Sequence, residues 1–421
     1  MHISRSGTIL GAMLLAAAAG PVIGAPPRAA VDPVKAHARL LPFDVHLDID
    51  TGFDGPSSPA SADGPSQFDL VKTSRGGVKA VALAIFVPQS AESPEQLAAA
   101  RATADAKLHV IQGLAARYPR QVAIAYTPDD VRRIAASGRL AVVESIVNGG
   151  AFIDSLDDLD RWQRQGVRIF GFVHAGHNRL ADSSRPSIAR GEGAGRSNGL
   201  SPLGKQAVER LNRLGILIDV SQLSDPAFDD VLRLTRAPVI ASHSDIRALV
   251  PNSRNLTDAQ LDAIKANGGV VAINAFTPYL RKPSAGTQAA VAALQAEYGV
   301  AGGDVAALTP DKAAAYNDRL HQLQARDPKA SLADFGEAVD YAIKRIGVDH
   351  VALSSDFNHG GGVTGWANEG EAANVTAELV RRGYSEGDIA KLWSGNALRI
   401  WGLAQSSGQK LSAGQKLSSL P

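Results

Sequence analysis

Phe43-Asp44-Val45-His46-Leu47-Asp48 is the stretch on which the fold turns: a short apolar run that ends on a histidine and an aspartate. Seven more runs of the same kind occur at residues 78–87, 140–146, 167–174, 215–220, 238–243, 269–274 and 348–355. They are apolar on both faces instead of alternating, which is how strands covered on both sides of a parallel sheet read. Helix-like stretches, such as 94–117 and 200–214, separate most of them. The order strand, helix, strand predicts an α/β chain, and eight strands favour a closed (β/α)8 TIM-like barrel over an open sheet.

Two stretches break the rhythm. Residues 55–64 are rich in Pro, Ser and Ala and read as a loop at the barrel mouth, while 283–332 are rich in Ala and Gln and read as a helical insertion before the last strand. Beyond Leu403 the chain turns polar and repeats Gly-Gln-Lys-Leu, so 405–421 are expected to be a flexible tail. At the other end Arg5, the apolar run from Ile9 to Ala19 and the small residues Gly24 and Ala25 read as a secretory signal over residues 1–25. That run is short for a bilayer span, the alternative being an uncleaved anchor. The expectation is a single domain over 26–404, working in the periplasm or secreted.

Composition removes several classes of function. The 421 residues are 45% apolar and 20% charged, the balance of a folded domain. A net charge of +1 without a basic stripe speaks against a nucleic-acid partner. With no cysteine there is no disulfide, lipoprotein anchor, thiolate zinc site or cysteine nucleophile. Any metal must be held by His, Asp, Glu or amide oxygens.

The side chains able to do that work sit at strand ends. His46 and Asp48 close the first run, Glu144 the third, His174 the fourth and His243 the sixth; Gln222 follows the fifth and Asp356 the eighth. Barrel strands converge at their C-terminal ends, so residues spread over some 300 positions would share one cavity. His46 and Asp48 are two apart and point to the same side of their strand. Unpaired charge there is costly without a cation. Each residue alone has a plainer reading, Glu144 as a surface carboxylate and His243 as a core histidine. His177, three residues past His174, reads as loop structure, though the two could exchange roles.

Taken together these residues resemble the membrane dipeptidase family, from about Phe43 to Leu403. The likeness is carried by Asp44-Val45-His46-Leu47-Asp48, Gly166-Val167-Arg168 leading to His174, Ala241-Ser242-His243-Ser244, Arg254-Asn255-Leu256-Thr257-Asp258, Ser355-Asp356-Phe357 and Gly395-Asn396-Ala397. It implies a metal-dependent hydrolase barrel with one or two zinc ions and a dipeptide substrate, with D-residues accepted at its C-terminal position. His46, Asp48, Glu144 and Asp356 would surround the first ion, with Glu144 bridging to a second held by His243 and Gln222. Asp356 would carry the proton, His174 would stabilise the oxyanion, and Arg254 would bind the substrate carboxylate. Three carboxylates and a hydroxide would balance two divalent cations.

The chain departs from the family twice. Gln222 stands where a histidine is usual, and Glu144 is followed by Ser145-Ile146-Val147, the expected glycines coming only at Gly149-Gly150. These departures keep open another amide or lactone hydrolase of the same barrel class, and a non-catalytic metal-stabilised binding protein. A small peptide is the expected partner, and a homodimer is allowed.

Overall fold

Among the described residues nine short, mostly apolar runs become strands: β1 Phe43–Asp48, β2 Ala80–Phe86, β3 Val122–Ile124, β4 Leu140–Val147, β5 Ile169–Gly171, β6 Leu217–Asp219, β7 Ile240–Ala241, β8 Val270–Asn274 and β9 Val351–Ser354. In this computed structural model the described residues are 31–187, 190–300 and 308–418, with His2 and Val305. The leader expected over 1–25 lies, but for His2, outside them. The strands and helices belong to the unit Asp32–Pro421.

The strands pair in parallel in the order β1-β2-β4-β5-β6-β7-β8-β9. The sheet closes on itself where Asp356 N–H donates to His46 O (3.0 Å) and Asp48 N–H to Phe357 O (2.9 Å). This is the eight-stranded barrel that the sequence predicts. The unexpected strand is β3, which takes the first part of one edge of β4 while β5 takes the last. Helices such as Pro94–Arg117 and Pro202–Leu214 cover the outside; the second starts on a Ser201 cap and stops at left-handed Gly215.

Burial divides into two layers. Phe43, Val45, Ala80, Ala82, Ala141, Val143 and Ala352 form one apolar cluster, which we take as the barrel interior. Leu47, Val81, Leu83, Val142 and Ile146 belong to the other, between strands and helices. Strict alternation would put His46 and Asp48 in that outer layer, on the side opposite Phe43 and Val45. A β-bulge between Asp44 and Leu47 prevents this. Its extra residue shifts the pleat by one, so that Phe43 and Val45 fill the floor and His46 and Asp48 still face the mouth.

Two segments outside the strands complete the unit. The insertion contains helices Ala285–Tyr298 and Pro310–Gln324, joined around a small core of Leu294, Val300 and Tyr316. The supposed flexible tail is instead helical: Asn396–Ser418 runs as one helix. Leu398, Ile400 and Trp401 join the barrel-interior cluster, and past Leu403 Gln405 donates to Tyr126 O and Ser412 to Arg213 O. Its polar composition reflects a helix with one wet face. Among the described residues no helix is long and apolar enough to cross a membrane.

Candidate active site at the barrel mouth

His46, Asp48, His174, Gln222, His243 and Asp356 line one cavity of about 50 Å³, together with Arg185, Tyr279 and His359. Three of them form a tight group: His46, Asp48 and Asp356 offer ligand atoms all within 4.8 Å of one another, and all three are buried. His46 Nε2 lies 3.6 Å from Asp48 Oδ2 and 3.7 Å from Asp356 Oδ1. Burial raises the pKa of Asp48, and its Oδ1 has no hydrogen-bond partner. An orphaned buried carboxylate oxygen beside an imidazole and a second carboxylate is what a divalent cation would complete. Asn274 Nδ2–H donates to Asp356 Oδ2 at 3.0 Å and holds that carboxylate in place.

The backbone at the mouth is unusual. Asn148, Gln222, Asp356 and Asn358 all have positive φ, at 59° and 74° for the first two and 56° and 62° for the others. Left-handed backbone at non-glycine residues is costly and clusters where side chains must be aimed.

Behind β1 lies a second carboxylate group that the sequence reading did not single out. Asp44 accepts from Ser355 N–H (3.0 Å) and from the Ser355 hydroxyl, tying β1 to the residue before Asp356. Glu369 is wholly buried beside it. Burial pushes Asp44 up to about 6 and Glu369 well above its usual range. This pair positions the ligands from behind and does not reach the cavity.

Glu144 is not in the cavity. Its neighbours on the strand, Val143 and Ser145, take the inward face, while its own carboxylate turns towards the helices and accepts from Gln112 Nε2 at 3.1 Å. A Cβ at Gly166 would meet Glu144 Oε2 at 2.2 Å, which places the carboxylate under that turn. Burial raises it to about 7. The expected bridging ligand is therefore on the wrong side of the sheet. β4 ends at Val147, which lines the cavity, and next comes Asn148, followed by the glycines missing after Glu144. Its side chain donates to Val87 O (2.9 Å) and accepts from Asn178 (3.0 Å). Those glycines are required by contact: a Cβ at Gly149 would meet Phe170 at 2.3 Å and one at Gly150 would meet Asn178 at 2.2 Å. The glycine pair was the available signal for this position.

The two histidines of the loop after β5 separate cleanly. His174 lines the cavity, 4.5 Å from Phe86 between ring centroids, and burial with the neighbouring Arg185 holds its pKa well below the usual value. His177 is spent on the loop, accepting from Ser183 N–H at 3.0 Å. Arg254 is buried beside the cavity, with one NH2 donating to His243 O (2.8 Å), the guanidinium 5.1 Å from the Tyr279 ring, and Nε unpartnered. Sequence reasoning missed Arg185, His359, Asn274 and Tyr279, which come from loops or strand ends without a motif of their own.

Above the cavity is a vestibule of about 800 Å³, lined by Phe276, Arg281, Lys282, His321, Lys329 and His359 among others. Phe276 and His359 also line the smaller cavity, so the two spaces adjoin. The insertion supplies one wall of the larger.

A family model described as membrane dipeptidase (Peptidase family M19) matches residues 33–415. The chain belongs to this family. Among solved structures the M19 chain is similar to the probable dipeptidase PvdM from Pseudomonas aeruginosa, at 42% identity and TM-score 0.84, over 89% of this chain and 98% of that one. A metallo peptidase from Rhodobacter sphaeroides, liganded with a phosphinate mimic of the dipeptide L-Ala-D-Ala, has the same fold at 23% identity and TM-score 0.69, over 87% of this chain and 99% of that one. Dipeptidase tcpJ of Claviceps purpurea is 29% identical over 70% of the M19 chain. Dipeptidase aclJ of Aspergillus oryzae is 30% identical over 58% of it. The matches span 58% and 47% of those two relatives' own lengths.

Proposed function

We propose that the protein is an exported, zinc-dependent dipeptidase that hydrolyses small peptides with an activated water. The observation that carries this reading is the convergence of His46, Asp48 and Asp356, all buried and within 4.8 Å, at the mouth of an M19 barrel. One imidazole and two carboxylates leave an ion an open position, as catalytic zinc sites require. A divalent ion held there would supply Lewis acidity and a water of lowered pKa.

The protein's own groups then have defined work. Asp356 accepts the water proton as oxygen adds to the carbonyl carbon, and returns it to the amide nitrogen as the C–N bond breaks. Asn274 donates to its second oxygen and so fixes how the carboxylate is turned towards the water. Arg254, with Nε unpartnered, supports binding of a terminal carboxylate next to Tyr279. Acceptance of a C-terminal D-residue draws support from the ligand of the Rhodobacter sphaeroides relative. Export draws support from the Arg5 and Ile9–Ala19 pattern.

A second reading has a specific observation behind it. The adjoining vestibule of about 800 Å³ is far larger than a dipeptide needs, and Arg281, Lys282 and Lys329 make it basic. It favours an amide hydrolase whose substrate carries a larger, acidic acyl part. A panel of L-L, L-D and Gly-containing dipeptides, assayed beside longer N-acylated amides with and without chelator, tests both. Chelator-sensitive turnover of dipeptides supports the first reading, and turnover of the longer amides alone the second. Hydrolysis that survives complete demetallation refutes both.

A further inference from the structure

We propose that Arg185 takes the place of a second metal ion, so that the site holds one divalent cation and one fixed guanidinium. This rests on the metal-dependent reading above and sharpens it.

A second ion would need His243, Gln222 and a bridging carboxylate. None is free for it. His243 Nδ1 is 2.7 Å from Ser242 Oγ, which donates onward to Asp219 Oδ2 at 2.5 Å. Ser242 therefore accepts from His243 Nδ1–H, and the ring's lone pair lies on Nε2. That lone pair accepts from Gln222 Nε2–H at 2.9 Å. Gln222 Oε1 in turn accepts from an Arg185 NH2 at 3.0 Å. Turning the amide over would set its N–H groups against the donors of Arg185, so the arginine fixes its orientation. The chain Arg185, Gln222, His243, Ser242, Asp219 takes up the only lone pair of His243 and turns one of the two lone pairs of Gln222 Oε1 towards Arg185. The bridging carboxylate is absent too, since Glu144 faces the helices and Asn148 is engaged by Val87 and Asn178.

Arg185 has the attributes of a functional cation. It is half-buried, and among the described residues Asp356 is the carboxylate whose charge reaches it. Its NH2 also lies 3.2 Å from His174 Nε2, and its Nε is buried without a partner. The NH2 donates to His174 Nε2, so the ring's one proton sits on Nδ1. With both hydrogens of that NH2 committed to Gln222 and His174, the rest of the Arg185 guanidinium, whose Nε has no partner, takes the oxyanion role.

The charge balance gives the same answer. Asp48 and Asp356 carry two negative charges, matched by one divalent ion; the proton that leaves the water stays on Asp356, so forming hydroxide adds no charge. With Glu144 outside the cavity, the balance that would have called for two ions no longer holds.

The test is zinc stoichiometry of the full chain, stripped with chelator, dialysed and titrated calorimetrically, with elemental analysis of the product. One ion per chain is expected, and two would overturn the proposal. No zinc at all would remove the metal reading on which it rests. In parallel, Arg185→Met should lower kcat/KM on the best substrate about 10²- to 10³-fold, as for loss of one oxyanion donor. It should leave zinc at one, while Arg185→Lys restores at least tenfold of that loss. Unchanged kcat/KM in Arg185→Met, or no rescue by lysine, would show that the charge is not used.

Discussion

Glu144→Gln distinguishes a buried structural carboxylate from a metal ligand. The side chain is wholly buried, and its pKa is raised from 4.5 to about 7 by burial. A folded pKa above the unfolded one means the folded state holds its proton longer. Stability is then highest below about pH 4.5 and falls as pH rises through about 7. At about 1.4 kcal/mol per pH unit, the gap between 4.5 and about 7 costs the folded protein about 3 kcal/mol at pH 8. Glutamine keeps the acceptor for Gln112 and cannot ionise, so this loss should vanish. Denaturant melts of wild type and variant at pH 5 and pH 8 measure it. About 0.8 kcal/mol of it is already present at pH 5, so the variant should gain about 2.5 kcal/mol relative to wild type between the two pH values. Its zinc content and kcat should stay within twofold of wild type. A variant that loses zinc or activity while folded would refute the outward placement of Glu144.

Three further outcomes are expected from the same geometry. Asp356→Asn should reduce kcat about 10²- to 10⁴-fold, as expected for loss of the proton carrier, and should weaken zinc binding measured by competition with a chromophoric chelator. His177→Ala should cost about 1–3 kcal/mol in denaturant melts, by leaving Ser183 N–H without its acceptor, yet leave zinc stoichiometry unchanged. Lys329→Glu should lower kcat/KM for long acidic N-acylated amides several-fold while leaving small dipeptides within twofold, an effect that salt should reduce.

The barrel was legible in the sequence because its strands are buried on both faces and so stand out as apolar runs. β3 was not, since Val122-Ala123-Ile124 is too short to rise above its surroundings. Six expected residues, from His46 to Asp356, reach one cavity because strand ends converge in this fold. Glu144 fails through parity: on a fully apolar strand nothing in the composition tells which of two adjacent residues points inward. The correct end of β4 was marked by Gly149 and Gly150, whose contacts exclude any Cβ. Arg185 had no signature at all. It comes from a loop, and its meaning depends on Gln222 and His174 reaching the same place from other strands.

The bulge in the first strand sets a limit on how this mouth can change. A shift of one position would turn Leu47 towards the lumen and send His46 and Asp48 under the helices, with the shell of strands intact. Such a protein would still collapse, still close β1 against β9, and still resemble its relatives by every measure of shape. Insertions and deletions near residues 44–47 should therefore extinguish chemistry well before they abolish folding, which makes this the segment to inspect first in any inactive homologue.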